Sequence, residues 1–502
     1  MLKWSVYAVL TPDNRSFLAF HHFNPCYLKS SYVSVVFKKI DQQPFIMGDA
    51  EQFDLSLRTH DDSTLAQLNA AKWKTTLARH PGVEFVWLQF LLVEGSTRMR
   101  MIPVAYFSKM IEVNRNLSLS SAHLHLLRND HVTLEAAPTG TMYLAPDIST
   151  AFVPSRESSR VRILANLVNE NHTPRPECLR TKLVNLSDIL SHLHGFDILV
   201  GYEIEVIFLK NEDKDGRDPI SSHKLCGMIP GMRAILPMVE SIVRTLDLEQ
   251  ILLEQFHAEM TPGQWEFVLP PQRPLEAVDT LMKARDIIST IANDYGYRAT
   301  MHPRPFPDHG GSGAHLHLSL NSSVTSDPEH TDPFFAGIIK HFPSLMAFCL
   351  PLDICYERVA TGIWSGGEYI SWGWENKETP LRRVANNRFE LKLHCGLANP
   401  YTSLAAILAA GIDGLNKGLP LSAGDCQTSP AYMSEEQRTK LGISPVPRNL
   451  QQSVDHLVED KGLQKILGEE YTATYISVTT EWNRQLNDMD SMSQRRMLLE
   501  NY

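Results

Sequence analysis

The stretch GGSGAHLHLSL, residues 310–320, decides how the chain is read. Gly310, Gly311 and Gly313 make a loop whose backbone can approach a ligand closely, because no Cβ stands in the way. Behind it His315, His317 and Ser319 alternate with Leu316, Leu318 and Leu320. Alternate side chains of a strand point to opposite faces. The leucines therefore share a buried face and the His/His/Ser row shares the other. A single histidine on a strand is most often a satisfied polar group. Two histidines and a serine in one row, after a glycine-rich loop, describe a face built for a ligand.

Four other segments extend that face. GYEIEVIFL (201–209) places Glu203 and Glu205 two apart in a run of strand-forming residues, with Val206, Ile207 and Phe208 arguing for burial. Two carboxylates on one strand face repel unless a cation lies between them, although an acidic pair on a solvated edge strand would carry the same letters. HAEMTPGQWEF (257–267) sets His257, Glu259, Gln264 and Glu266 around a Thr-Pro-Gly turn. A hairpin there brings Glu259 near Glu266; a polar loop is the plainer alternative. WGWENKETPLRRV (372–384) supplies Asn376, Lys377, Arg382 and Arg383, donors suited to phosphate oxygens. NRFELKLH (387–394) again alternates, with Arg388, Glu390 and Lys392 on one face, either as site groups or as a salt-bridge ladder.

Carboxylates dominate this set, with at least one histidine and several arginines and lysines. Hard divalent cations such as Mg²⁺ take oxygen ligands and bridge phosphates. The surrounding cations suit a transferring phosphoryl group, whose charge must be spread and held. Zinc fits less well, since carboxylates outnumber histidines and no cysteine clusters with them. Neither a GxxxxGK[ST] loop nor a GxGxxG fingerprint occurs.

Bulk composition narrows the function classes. At 502 residues the chain has room for two or three domains. Its net charge of −10 and lack of a dense Lys/Arg tract argue against nucleic acid as a partner. Seven cysteines, scattered and without a CxxC pair, point to a reducing compartment. The N-terminal apolar run is too short for a signal segment, and no run approaches the ~20 apolar residues of a membrane span. A cytoplasmic location without membrane contact is expected.

Organisation along the chain is α+β. Residues 1–60 hold strand-like pieces, SVYAVL and SYVSVVF, that fit no assigned role. Residues 61–165 read as a small α+β domain. The stretch THDDSTLAQLNAAKWKTTLARH (59–80) has a helical pattern, and VEFVWLQFLLVEGSTRMRMIP (83–103) reads as two strands about a Glu-Gly-Ser turn. A polar, proline-bearing connector, NENHTPRPECLR (169–180), leads into a second domain over 166–502. There LEAVDTLMKARDIISTIANDYG (275–296) is an amphipathic helix ended by Gly296. NPYTSLAAILAAGIDGLNKG (399–418) is a buried one, and NLQQSVDHLVEDKGLQKILG (449–468) closes the helical pattern.

Taken in order, these segments resemble the glutamine synthetase family. The landmarks are the Glu-x-Glu of GYEIE, the HxE…GQxE of HAEMTPGQWE, the GSGxHxHxS of GSGAHLHLS, the ENKE…R segment, the RxE of RFE, and Asn399-Pro400-Tyr401. PRNL…GLQKILGEEY…EW (447–482) is also family-like. The likeness runs from about residue 82 to 502, and the wording WSGGEYISWG…NKETPLRR is nearer the fungal FluG-type, glutamine-synthetase-like branch. It implies an N-terminal β-grasp-like domain, then a catalytic domain with a curved antiparallel sheet, in a homo-oligomeric ring with active sites between subunits. It implies ATP, with Mg²⁺ or Mn²⁺, joining a small-molecule acid to an amine through an acyl phosphate. By motif, Glu205, Glu259 and Glu266 would hold one metal, and Glu203, His315 and Glu390 the other. His317 and Ser319 would line the nucleotide site, Arg358 would grip the acid's carboxylate, Arg382 the phosphates, and Arg388 a further phosphate oxygen.

The departures from the family pattern fall on the substrate side. The Asn-Gly that precedes Ser-Gly in the family is here Gly310-Gly311. The flap carboxylate's place is taken by Trp364 in TGIWSGGE (361–368), with Glu368 four residues later. The Asp-x-x-Gly associated with ammonium reads Leu92-Val93-Glu94-Gly95, and two arginines are Lys377 and Lys392. These changes direct the expectation toward an amine other than ammonia. Authentic glutamine synthesis and a catalytically silent ring protein are the alternatives.

Overall fold

In the computed structural model the described residues are 62–213, 215–322 and 328–502, together with two short paired strands, β1 (Val9–Leu10) and β2 (Ser16–Phe17). Residues Met1–Thr59 and His60–Tyr502 are separate units. Of the two strand-like pieces read near the N-terminus, SYVSVVF lies outside the described residues and SVYAVL is described only at Val9–Leu10.

The larger unit opens with helix α1 (Asp62–Arg79) and a five-stranded sheet. Its strands are β3 (Phe85–Leu91), β4 (Thr97–Pro103), β5 (Leu117–Ser120), β6 (Thr141–Pro146) and β7 (Arg160–Val168), in spatial order β4-β3-β7-β6-β5. The β3–β4 hairpin turns at Glu94-Gly95-Ser96, as its sequence predicts. Alternation sets its faces: Val86, Leu88 and Phe90 are buried beneath α1 and α2 (Val104–Glu112), where Trp73 packs edge-on against Phe107 at 5.0 Å.

After α3 (Leu179–His194) the chain builds the second sheet around one long strand, β8 (Phe196–Lys210). The others are β9 (Gln255–Ala258), β10 (Gln264–Val268), β11 (Tyr297–Thr300) and β12 (Leu316–Ser322). A two-residue strand β13 (Tyr369–Ile370) stands apart; β14 (Trp372–Trp374), β15 (Leu381–Ala385) and β16 (Arg388–Leu391) complete the eight. The order is β14-β15-β16-β12-β8-β10-β9, with β11 paired to the far end of β8. All these pairs are antiparallel except β14–β15. Ser444–Pro445 (β17) pairs with β13.

Helices α4 (Pro230–Leu248), α5 (Pro274–Asp294), α6 (Pro328–Cys349), α7 (Asp353–Tyr356) and α8 (Pro400–Lys417) belong to this half. Helix α8 is buried from Pro400 to Gly414. Small residues let it approach α6 so closely that a Cβ on Gly337 would lie 2.1 Å from the Ala410 carbonyl. Asn399 caps α8 through its side-chain oxygen, and its Nδ2 donates to the carbonyls of Leu92 and Val93 at 3.3 and 3.2 Å, tying the helix to the first sheet. The segment read as one closing helical pattern is two helices, Leu450–Glu459 and Lys461–Leu467, parted at Asp460. Asp460 caps the second by accepting from the Leu463 N–H at 3.0 Å. Among the described residues no helix is long and apolar enough to cross a membrane.

Candidate functional site

The second sheet gathers the acidic residues because its central strands are in register. Glu205 faces Glu266 across β8–β10, and Val268 faces Glu203. His317 lies opposite Gly201 on one side and Glu390 on the other. One face of β8, β10, β12 and β16 thus carries Glu203, Glu205, Glu266, His317 and Glu390, with His315 entering just before β12.

Distances confirm the convergence. His315 Nδ1 lies 3.0 Å from Glu203, 3.4 Å from Glu205 and 3.6 Å from Glu390. His317 Nε2 is 2.9 Å from the other oxygen of Glu203. Glu205 accepts from Gln264 Nε2 at 2.6 Å and from the Gly313 N–H at 2.8 Å. Among the described residues two groups have ligand atoms within 4.8 Å of one another: Glu203, His317 and Glu390, and His257, Glu259 and Glu266.

Charge in this cluster is only partly compensated. Burial, then the charges of Glu205 and Glu266, push the Glu259 carboxyl up to about 7. Burial likewise raises Glu266. Burial works against ionised Glu203 as well, but hydrogen bonds from His315 and His317 hold it well below the usual range. Desolvation opposes ionisation of Glu390 too; nearby Lys392 and His315 outweigh it and bring it down to about 2. Carboxyls that face each other in a buried place, two of them resisting ionisation, form a donor set matched to a hard divalent cation.

Cations ring the acidic centre. Arg382 donates to Glu390 at 3.0 Å, and Lys392 Nζ meets its other oxygen at 2.7 Å. Arg388 lies across from Ser319 in the β12–β16 register, and its Nε is 3.4 Å from His317 Nδ1. Arg358 is 2% exposed; its Nη2 lies 3.3 Å from His315 Nε2 and its Nη1 donates to the Lys392 carbonyl. The glycine loop packs onto it: a Cβ on Gly311 would sit 2.7 Å from Arg358 Cβ, and one on Gly313 would sit 2.5 Å from its guanidinium. Gly310 and Gly311 are held by Thr261 and Gln264, which donate to their carbonyls at 2.8 and 3.4 Å.

Beside the cluster runs a flap, residues 359–368. It leaves from Arg358 and returns at Gly366, where an added Cβ would be 3.1 Å from Lys392 Cβ. Trp364 is 48% exposed with φ +59°, an unfavourable conformation for a bulky side chain. Glu378 imposes it, accepting from the N–H groups of Gly362 and Trp364, both at 2.9 Å. Lys377 Nζ lies 5.0 Å from the centroid of the Trp364 ring. Glu368 turns to Arg448 and to Thr361 Oγ1, the latter at 2.6 Å. In the first sheet, Glu94 is paired with Arg128 at 3.1 Å and accepts from the Ser96 N–H at 2.8 Å.

Most residues singled out from the sequence lie on this face, its loops or the flap, but Arg383 does not. It stands opposite Phe389 on the other face of β15–β16, where it pairs with Asp332 at 2.9 Å, because alternation sends it away from its neighbour Arg382. Asn376 is spent on its turn, donating to the Cys426 carbonyl at 2.8 Å, and Glu94 belongs to the first sheet. On the face itself Ser319 is the outlying one, a strand step of about 7 Å beyond His317. Three contributors had been given no site role. His257 sits between Glu259 (3.5 Å) and Glu266 (3.4 Å), since the register sets it opposite Glu266. Gln264 orients Glu205. His394, pushed down to about 3 chiefly by burial, donates from Nδ1 to the Ala314 carbonyl beside His315 at 2.8 Å. The alternation of NRFELKLH was the available signal for His394, which follows Lys392 on the same face.

Comparison with known proteins agrees with this geometry. The profile of the glutamine synthetase catalytic domain matches residues 177–497. Protein fluG of Emericella nidulans is 38% identical over 84% of this chain, which spans 49% of that protein's length. The glutamine synthetase of Methanocaldococcus jannaschii is 28% identical over 80% of this chain and 92% of its own. A gamma-glutamylpolyamine synthetase of Streptomyces coelicolor is 25% identical over 79% and 89%. In fold the chain is similar to GmaS in complex with ADP, with a TM-score of 0.72 at 22% identity, covering 85% of this chain and 99% of that one.

Proposed function

Because the chain belongs to the glutamine synthetase family, we propose that it is an ATP-dependent ligase that joins a carboxylic acid, glutamate or a related one, to an amine other than ammonia. The observation that carries this reading is the convergence of Glu203, Glu205, Glu259, Glu266 and Glu390 with His315 on one sheet face, uncompensated enough that Glu259 stays protonated up to about pH 7.

In this reading Glu205, Glu259 and Glu266 hold one Mg²⁺ or Mn²⁺, and Glu203, His315 and Glu390 the other. Bound there, divalent ions neutralise phosphate charge so that two anions can meet. His317 and Ser319 line the nucleotide. Arg382 and Arg388 hold phosphate oxygens, and Arg358, pinned under the glycine loop, meets the acid's carboxylate. The γ-phosphoryl group passes from ATP to a carboxylate oxygen of the acid, and ADP remains. The amine nitrogen then attacks the acyl carbon, the C–O bond to phosphate breaks, phosphate leaves, and the nitrogen gives up a proton.

The amine half of the proposal rests on Trp364 at the flap and on Glu94, whose carboxylate is taken by Arg128 and Ser96. Residues 61–165 serve as the N-terminal domain and 166–502 as the catalytic domain of subunits in a homo-oligomeric ring. A silent relative is favoured by one observation, the bonds that Lys392 and Arg382 make to Glu390, which also read as a structural ladder. The deciding assay follows Mg²⁺-dependent ADP release with ATP, candidate acids and an amine panel, with products identified by mass spectrometry. Release with an amine substrate is expected. No release under any mixture supports the silent reading, and ammonia with glutamate turning over as well as any amine removes the restriction on ammonia.

A further inference from the structure

The flap is anchored at both ends on the acidic cluster, through Arg358 beside His315 and Gly366 against Lys392. Trp364 lies in the segment between those anchors, with half its surface in solvent. An exposed aromatic held at positive φ is costly unless its position matters. Its position is enforced by the two N–H bonds to Glu378, by the Gly366 N–H to the Lys377 carbonyl at 3.2 Å, and by Ser365 Oγ on the Ala360 carbonyl at 3.1 Å.

The side-chain charge over that ring is the Lys377 ammonium. Glu368 and Glu378 are the carboxylates of the flap and of the turn 376–380 beneath it, and both are engaged, with Arg448 and Thr361 and with backbone amides. Lys377 stays over the ring, and no ion pair of its side chain occurs among the described residues. A cation arriving here meets a cation over the ring, and the carboxylates nearby, Glu368 and Glu378, already have their oxygens engaged in hydrogen bonds. A flat, uncharged or anionic group meets an aromatic face and an ammonium.

Resting on the ligase reading above, we propose that the amine substrate is an aryl amine of the aminobenzoate class, its ring on Trp364 and its carboxylate at Lys377, and that Glu378 is the positioning residue that sets the Trp364 face. Diamines and ammonium, both cations at neutral pH, are poor nucleophiles for this protein.

The test uses the full chain with ATP, Mg²⁺ and glutamate, and compares 4-aminobenzoate, aniline, putrescine and ammonium by ADP release. 4-Aminobenzoate is expected to exceed putrescine and ammonium by about tenfold or more in kcat/KM. Lys377→Ala lowers the value for 4-aminobenzoate and leaves aniline nearly unchanged, and Trp364→Ala lowers both. Glu378→Gln speeds amide hydrogen exchange at 362–364 and raises KM for 4-aminobenzoate more than it lowers kcat. Equal or better use of putrescine overturns the proposal. So does a Lys377→Ala variant that loses aniline and 4-aminobenzoate alike, or unchanged exchange in Glu378→Gln. Equilibrium dialysis of the same amines with Mg²⁺ and ADP separates this from failure of the ligase reading. Retention of 4-aminobenzoate over putrescine without any ADP release keeps the specificity and removes the ligase. Retention of putrescine instead, or of neither, overturns the specificity whatever the turnover.

Discussion

Two clusters in this molecule are built from the same kinds of side chain and end in opposite states. Between α6, α8 and the turn at Asp460, His341 bridges two carboxylates, Asp460 at Nδ1 and Asp413 at Nε2 (2.8 Å). Lys340 and Lys417 also bond Asp413, at 3.0 and 2.8 Å, and Ser344 donates to Asp460 at 3.0 Å. Burial opposes ionisation of Asp413, yet hydrogen bonds from His341, Lys417 and Lys340 hold it well below the usual range. On the second sheet the acids are more numerous and face one another, and burial with neighbouring carboxylates raises Glu259 and Glu266. The first cluster is complete in itself and acts as a fastener. The second is left short of positive charge, which is what distinguishes a site from a strut of the same composition.

The largest effect expected from breaking this contrast is at Glu390. Glu390→Ala should lower Mg²⁺-dependent ADP release by more than the roughly 10–100-fold that loss of a second-sphere partner costs; unchanged release would undo its assignment as a ligand. At the fastener, His341→Ala leaves buried Asp413 and partly buried Asp460 without their shared donor. Urea denaturation should show a loss of about 2–3 kcal/mol, with ADP release per folded molecule unaltered. A loss of activity at full stability would mean the two clusters are coupled.

Titration sharpens the same comparison. Burial would depress the His341 pKa, but hydrogen bonds to Asp413 and Asp460 outweigh it and hold it above the usual value. A raised folded value means that this contribution is fully present below about pH 6.5 and is lost as pH rises through the folded value. His341→Gln should flatten that alkaline slope. On the sheet, Glu259 must lose its proton to bind a cation, and its folded value is about 7. The rise in Tm caused by Mg²⁺ should therefore be greater at pH 8 than at pH 6; an equal rise at both would exclude Glu259 from the ion's ligands. Smallest is Lys340→Ala, whose side chain is 43% exposed: a change of about 0.5 kcal/mol or less in the same urea experiment.

Much of the sheet's chemistry was legible because period two is a local property. Glu203 with Glu205, His317 with Ser319, and Arg388 with Glu390 could be set on shared faces without knowing any partner strand. His257 could not be placed that way. Its neighbours depend on the β9–β10 register, and the turn between the strands, through Thr261-Pro262-Gly263, decides that register. Glu378 was hidden for a different reason. It reaches backbone amides 14 and 16 residues away, across a flap with no periodicity to read. The break at Asp460 had a local signal, its cap on the Leu463 N–H three residues on, but the bonds that fix Asp460 there, to His341 and Ser344, are tertiary contacts at separations of 119 and 116 residues.

Asn399 bears on how this chain is made. Its amide reaches the Leu92 carbonyl across 307 residues. At about 5–20 residues per second, roughly 15–60 s of synthesis separate the two. The first sheet emerges long before the helix cap that will fasten it, and its β4 edge carries the exposed side chains of Met99 and Met101. Over that interval the nascent chain presents an unfinished surface, and the ribosome's pace becomes part of the problem this fold has to solve.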